Sequence, residues 1–296
     1  MVTGGGSTLN TQIVTPIMSK RPDPDGDKIK AFEAVTDLTL DPTQPVIIRL
    51  DGRAFHSWTA CVDRPFDPRL NGLMVQTMLS LASASGARYC YTQSDEITLV
   101  CLTEGKSQPL FGGRVLKLCS LLASLASVKF NHGLAEWGIT SNKLATFDCR
   151  AFNVPDKDTA AQVVIWRETD AIRNSTLGRG QEFMSHNEIH GMSAREVRDW
   201  LKANNRAWGE LPPERKFGVG CTRRTVERPF TATELDKLPE KHAARKDPNL
   251  TVHRQEYVPV RLPLKWGCTN PEEVVFDGVD PILVLKDDAY MESIET

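Results

Sequence analysis

The segment Ala87-Arg88-Tyr89-Cys90-Tyr91-Thr92-Gln93-Ser94-Asp95-Glu96-Ile97-Thr98-Leu99-Val100-Cys101-Leu102 holds two strand-like runs, 87–91 and 97–102, around the short polar piece Thr92 to Glu96. Aromatic and β-branched residues flanking so brief a break form a hairpin. Upstream, Gly86 stops a helix that Asp67 caps and Pro68 opens. Leu70, Leu73, Met74, Met78, Leu81 and Ala82 share one face of that helix. Before it, Pro45-Val46-Ile47-Ile48-Arg49-Leu50 is a buried strand closed by Asp51-Gly52. Downstream, a second apolar helix runs from about Gly113 to Phe130 and breaks at Asn131-His132-Gly133, and a strand follows over Ala145 to Val154. The order strand, helix, strand, strand, helix, strand is the split βαβ, ferredoxin-like arrangement, an α+β fold whose antiparallel sheet carries both helices on one face. Polymerase palms and nucleotide cyclases share it with unrelated binding domains, so function must be argued from a site.

The rest of the chain divides around this unit. Residues 1–27 read as a mobile arm, 28–155 as the palm-like catalytic domain, 156–211 as a helical extension packing on it, and 212–296 as a Pro- and charge-rich, irregular region. Ile29, Phe32, Val35 and Leu38 or Leu40 form a short helical stripe that ends near Asp41-Pro42. The extension carries one helix from Thr159 to about Met184 and another opened by the capping box Ser193 to Glu196, with Val197, Trp200 and Leu201 as its stripe. Strand-like pieces lie at Tyr257 to Leu262 and at Val274 to Phe276.

Composition narrows the functional classes. With 40% hydrophobic and 25% charged residues in 296, collagen-like, coiled-coil and disordered chains are excluded. No run approaches 18 apolar residues, and the start MVTGGGSTLN lacks the basic and apolar regions of a signal peptide. Seven cysteines without a C-x-x-C pair are expected to be buried thiols in a reducing cytoplasm, not a disulfide framework or a zinc cage. At a net charge of −2, a nucleic-acid partner has to be held by local basic patches.

Alone, Asp51-Gly52 reads as an ordinary turn and Asp95-Glu96 as a solvated hairpin tip. The topology alters both readings, because the first strand and the hairpin are sheet neighbours and their acidic residues converge on one edge. Two carboxylates there repel unless a cation lies between them, and hard oxygen ligands suit Mg²⁺. Gly52 offers a carbonyl that can approach a metal closely, since no Cβ obstructs it. Two metals so held can activate an attacking oxygen and stabilise a leaving phosphate, as nucleotidyl transfer requires.

Three further groups admit two readings each. Gly112-Gly113-Arg114 with Lys117 opens the second helix, where cations oppose the dipole; a cradled triphosphate would account for them, and so would a solvated loop. Arg167, Asp170 and Asn174 form a polar helical stripe that is either a solvated face or a phosphate-ordering set. Arg215, Lys216, Arg223, Arg224 and Arg228, with His242, Arg245 and Lys246 beyond, are either solvated or a contact for RNA phosphates. His56, after Arg53 and Phe55, sits near the metal pair or packs at the strand end.

Ile48 to His56, Arg64-Pro65-Phe66-Asp67 and Gln93-Ser94-Asp95-Glu96 resemble the tRNA(His) guanylyltransferase family. The similarity continues through Ala123-Ser124, Phe130-Asn131, Phe147 to Phe152, Trp166-Arg167 to Asn174-Ser175, and Ser185-His186 to Gly191-Met192-Ser193. It is of the bacterial and phage type, spans about Asp27 to Gly220, and echoes weakly at Phe276-Asp277-Gly278.

The resemblance implies a polymerase-type palm that extends the 5′ end of tRNA in the 3′-to-5′ direction. A 5′-monophosphate is activated, commonly by ATP, and the 3′-hydroxyl of an incoming nucleotide such as GTP then attacks it. It implies Asp51, Asp95 and Glu96 as catalytic residues, with Asp51, Gly52 and Asp95 holding two Mg²⁺. Arg53, Ala54, Phe55, His56, Ser94, Arg114, Lys117 and Asn174 would meet the nucleotide and its triphosphate, and a homotetramer is implied, with no membrane association. Eukaryotic members read Asp-Cys-His-Ile-Asn-Asn where this chain has Asp170-Ala171-Ile172-Arg173-Asn174-Ser175. Loss of that His favours template-directed 5′-end repair of tRNA over untemplated addition of G to tRNA(His). A nucleotide cyclase would carry Gly-Gly before its acidic turn, where this chain has Gln93-Ser94. A non-catalytic RNA-binding palm would have no use for Asp51 and Asp95, which repel RNA.

Overall fold

The hairpin forms around a two-residue turn. Strands β2 (Tyr89–Gln93) and β3 (Glu96–Cys101) pair antiparallel with Gln93 opposite Glu96. Ser94 takes a left-handed φ of 53°, because a two-residue hairpin turn matches the strand twist only with positive φ at its first position. The strand before them, β1 (Val46–Gly52), pairs with β3, and its other edge pairs with β4 (Phe147–Asn153). A computed structural model describes residues 23–283 apart from 64, 65, 106, 248, 261, 262 and 266. The expected arm over 1–22, and Arg64-Pro65 of the family motif, lie outside the described residues.

Between β1 and β2 runs α3 (Pro68–Ser85), preceded by the single turn α2 (Phe55–Trp58), and between β3 and β4 runs α4 (Val115–Gly133). As expected, Asp67 caps α3 by accepting from the Arg69 N–H at 2.9 Å, and Gly86 ends it with φ 67°. Contrary to expectation, α4 continues through Asn131 and His132. Asn131 is satisfied there by side-chain hydrogen bonds to the Ser127 and Ala145 carbonyls, both 2.7 Å. Both helices pack on one sheet face, where Leu73, Met78, Leu118, Leu122 and Phe130 meet Ile48, Leu50, Ile97 and Leu99. Each such side chain, fully buried, contributes roughly 1.5–3 kcal/mol.

The opposite face is covered too. Helix α5 (Lys157–Gln181) lays Ala160, Ala161, Val164 and Ala171 over Ile47, Tyr89, Tyr91 and Val100. After the short α6 (His186–Ile189), α7 (Ala194–Ala203) opens with the reciprocal Ser193–Glu196 cap and packs Val197 and Leu201 against Ile172 and Trp208.

The C-terminal region is more regular than its composition indicates. Beyond α8 (Pro213–Phe217), strands β5 (Val219–Pro229) and β6 (Thr251–Val260), separated by α9 (Ala232–Lys237), extend the sheet to the order β4-β1-β3-β2-β5-β6. Charged residues hide these strands because most of their length is a two-stranded ribbon with exposed side chains. Val274 to Phe276, expected as a strand, is the end of helix α10 (Pro271–Phe276). Pro271 sets the helical φ there, and the three apolar residues are buried in the α5-side core. Residues 24–27, expected in the arm, begin helix α1 (Pro24–Ala34), capped by Asp23 accepting from the Gly26 N–H at 3.0 Å.

Among the described residues, those up to Asp37 and those from Leu38 onward belong to separate units, the second containing the whole sheet. In the first, Ile29, Phe32 and Val35 lie on an exposed face. No helix among the described residues is long and apolar enough to cross a membrane.

Candidate active site

The end of β1 is tied to the hairpin tip by backbone. The Gly52 N–H donates to the Asp95 carbonyl at 3.1 Å, and Asp51 stands opposite Glu96 on one side and Asp148 on the other. Thus Asp51 and Asp95, far apart in sequence, are held together by the sheet. Burial raises the Asp95 carboxyl above its ordinary range; the Ser94 hydroxyl, donating at 3.0 Å, pulls it down, and the Asp51 charge pushes it up again. The Asp51 charge therefore opposes ionisation of Asp95, which a cation between them would relieve. The donors are hard oxygens, and the described residues hold no cluster of three or more His, Cys, Asp or Glu side chains able to bind a metal. This set fits Mg²⁺, which keeps water and phosphate oxygens in its shell, better than a metal needing a full protein cage.

Gly52 has a reason that the sequence did not reveal. A Cβ there would lie 2.2 Å from Cδ2 of Phe55. Phe55, expected to touch a nucleotide, is 4% exposed and packs on Trp58, Phe130 and Phe147 with ring centroids 5.2–5.5 Å away. It supports the strand end from beneath. Ala54 turns the chain over this cluster with a left-handed φ of 54°, which leaves Arg53, Ala54 and His56 exposed at the rim.

Two adjoining cavities flank the hairpin tip and share His56, Thr59, Leu70 and Ser94. One, of about 350 Å³, is also lined by Gly52, Ala54, Asp95 and an edge of Phe55. The other, of about 860 Å³, reaches Gln93, Asn174 of α5 and Arg215 of α8. The site therefore gathers Asp51, Gly52, Arg53, Ala54, His56, Ser94, Asp95 and Asn174 from elements spread over more than a hundred residues.

Glu96 has a different setting from Asp95. Its Oε1 lies 2.6 Å from Nε of Arg167, a buried guanidinium that also pairs with Asp170 at 2.9 Å. Burial raises the Glu96 pKa, and the Arg167 and Arg49 charges lower it. Arg167 is thus buried and paired with Glu96 and with the half-exposed Asp170, while Asn174 of the same stripe is exposed and lines the larger cavity.

Other expected site residues lie elsewhere. Gly113, left-handed at φ 74°, accepts from the Leu40 N–H through its carbonyl at 2.9 Å, which docks the start of α4 beside residues 38–40. Phe130, which touches the aromatic cluster under Gly52, is sixteen residues beyond Arg114, about 24 Å along the helix axis. Within one chain, Arg114 and Lys117 do not meet the carboxylate pair. Lys117 instead stands over the Phe111 ring at 5.8 Å.

The basic residues after Pro212 are largely engaged in structure. Lys216 is buried, donates to the Gly209 carbonyl at 2.9 Å, and has its pKa lowered by desolvation. Arg215 pairs with Glu182, Arg223 donates to the Gly86 carbonyl at 3.1 Å, and Arg224 pairs with Asp280 at 2.7 Å. Arg228 is clasped by Glu234 and Glu256, while Arg245 donates to the Asp236 and Leu238 carbonyls.

Sequence reasoning did not assign Asp148, placed opposite Asp51 by strand register, or Arg49, which precedes Asp51 by two residues on the same face of β1. The signal was the alternation in Phe147 to Asn153, where every second side chain faces out.

Residues 26–155 match the tRNAHis guanylyltransferase (Thg1) family. An uncharacterized protein of Acanthamoeba polyphaga mimivirus is 31% identical over 227 residues, which cover 67% of this chain and 76% of that protein. Among solved structures, a bacterial tRNA(His) guanylyltransferase (Thg1)-like protein in complex with ATP is similar with a TM-score of 0.64 at 32% identity, over 68% of this chain and 87% of that one. A complex of such a protein with GTP gives 0.60 at 32% identity, over 70% and 87%.

Proposed function

Because the chain belongs to the tRNA(His) guanylyltransferase family and is a nucleotidyltransferase, we propose that it extends the 5′ end of tRNA, activating a 5′-monophosphate with ATP and then adding nucleotides against a template. The observation that carries this reading is the convergence of Asp51 and Asp95 at the end of the sheet, where the Asp51 charge opposes ionisation of Asp95. Asp51, Asp95 and the Gly52 carbonyl would hold Mg²⁺, whose chemistry there is activation of an attacking oxygen and stabilisation of a leaving phosphate. Ser94 orients Asp95, and Glu96 with Arg167 fixes the floor beside them. Ala54, Phe55, His56 and Asn174 line the space for the nucleoside triphosphate, with Arg53 exposed at its rim. ATP and GTP suit the site because similar bacterial proteins have been solved with each.

Repair is favoured over G addition to tRNA(His) by Ile172. It occupies the place of the eukaryotic His and is buried with Val197, Leu201 and Trp208, so this position offers no imidazole to the substrate. Arg114 and Lys117 are left for phosphates away from this pocket, and the homotetramer implied by the resemblance belongs to the same reading.

The deciding substrate is a tRNA lacking its first nucleotide and bearing a 5′-monophosphate, incubated with ATP, GTP and Mg²⁺. Extension that is lost in Asp51→Ala and in Asp95→Ala is the expected result. Dinucleotide formation with no change in RNA length would overturn the reading. Changing the base opposite the gap should change the nucleotide added; addition of G regardless of that base would point to tRNA(His) maturation instead.

A further inference from the structure

On the sheet face that carries Asp51, α5 and α10 cover Ile47, Val100, Tyr89 and Tyr91, but edge strand β4 stays open. Asp148, Arg150 and Phe152 are exposed there and stand opposite Asp51, Arg49 and Ile47 in register. The strip therefore begins at the carboxylate end and runs up β4 and β1. Beside it, Trp166 of α5 leaves 53% of its surface in solvent, and Phe152 leaves 38%. Two guanidiniums stand over the Trp166 ring, Arg167 Cζ 4.2 Å and Arg49 Cζ 5.9 Å from its centroid, and more than half of the residue's surface stays open to solvent.

Neither aromatic contributes to a core in proportion to its size. Arg167 is committed to Glu96 and Asp170, so it fixes the ring and adds little free charge. Among the described residues, Arg150 makes one ion pair, with Asp148 at 4.0 Å. The contacts of Arg49 among the described residues are the Trp166 ring and the charge of Glu96. Open aromatic faces interleaved with cations on an antiparallel sheet are the chemistry that takes unpaired nucleobases, rings stacking on bases and guanidiniums meeting phosphates.

We propose that this strip seats the unpaired nucleotides at the end of the RNA being extended, with bases stacking on Trp166 and Phe152 and phosphates meeting Arg49 and Arg150. The proposal rests on the reading of the chain as an RNA 5′-end nucleotidyltransferase. It moves the single-strand contact from the basic residues after Pro212, whose charges are tied up, to the surface continuous with Asp51.

The test measures binding of a 3′-labelled single-stranded RNA of about 12 nucleotides, and of the blunt duplex of the same sequence, by fluorescence anisotropy. Trp166→Ala and Phe152→Ser are compared with Trp166→Phe and with Val128→Ser, an exposed α4 position on the other side of the sheet. Trp166→Ala and Phe152→Ser should each weaken single-strand binding roughly 5- to 150-fold. They should also raise the KM for RNA while sparing the rate at saturating RNA. Trp166→Phe should keep most of the affinity, and Val128→Ser and duplex binding should be unchanged. ATP binding by equilibrium dialysis should survive in all four, which shows that they are folded. Unchanged single-strand affinity in Trp166→Ala and Phe152→Ser would overturn the proposal while leaving an active wild type, and hence the functional reading, intact. A wild type that binds single strands through these residues but extends no RNA would instead overturn the functional reading, and with it the strip's part in extension, while the strip's hold on single strands would stand. If the variants change the sedimenting species with RNA affinity intact, the strip is an interface between copies and the proposal fails.

Discussion

Gly52 and Glu168 show how single residues carry constraints that composition conceals. Replacing Gly52 by Ala puts a methyl group into the Phe55 ring, 2.2 Å from Cδ2. Overpacking of this kind costs about 1–3 kcal/mol. Urea unfolding of Gly52→Ala should show that loss, and the double variant with Phe55→Leu should recover much of it, because the two sites share one space. Glu168, on α5, is buried and its pKa is raised to about 7 by desolvation, against the opposing backbone N–H groups of Lys265, at 2.8 Å, and Leu264. The folded state then holds this proton more tightly than the unfolded chain, so its contribution is present below pH 4.5 and lost as pH rises through 7. The loss is about 3 kcal/mol. Glu168→Gln should gain on the wild type between pH 5 and 8 in paired urea curves; parallel curves would show that the carboxyl is not the source.

Among the elements, α3 depends most visibly on its ends. Asp67 accepts from the backbone of Asp63 and Arg69 and from the Arg69 guanidinium, which holds its pKa down to about 2. A depressed carboxyl stabilises above its unfolded pKa of 3.8, and that contribution disappears as pH falls toward 2. Asp67→Ala should cost about 1–2 kcal/mol at neutral pH. The gap from wild type should close by pH 2, which thermal melts across that range would register. The hairpin and the cap signals of α3 and α7 were readable because turn chemistry and capping are local. Strand β5 was not readable: Arg223, Thr225, Glu227 and Pro229 gain their strand character from pairing with Tyr257, Gln255, His253 and Thr251. Helix α10 was missed because its strand-like Val274-Val275-Phe276 run is short enough to suit either structure, although Asn270, Pro271 and the acidic Glu272-Glu273 form a local helix start.

At the scale of the molecule, the C-terminal region completes the sheet. β5 pairs with β2 from Tyr89 to Thr92, Thr222 donates to the Val274 carbonyl at 2.8 Å, and Tyr257 donates to the carbonyls of Ala82 and Ala87 at 2.7 and 2.9 Å. A chain ending at Leu211 would expose β2 as an apolar edge. It should aggregate or bind a hydrophobic dye such as ANS, whereas the intact chain should unfold in one cooperative step. A soluble, cooperative shortened chain would show that the palm stands without β5.

The sequence alone determined the strand and helix order of the palm, the caps, the hairpin turn and the acidic residues Asp51 and Asp95, because each follows from periodicity or turn chemistry over a few residues. Only the tertiary structure decided what those acids face. It set Asp148 opposite Asp51 through register, turned Glu96 toward Arg167, and buried Phe55 and Lys216. It also carried Arg114 and Lys117 a helix length away and left Trp166 open beside β4. These outcomes depend on which surfaces meet across long sequence separations, and electrostatic and packing energies act through space, whatever the distance along the chain.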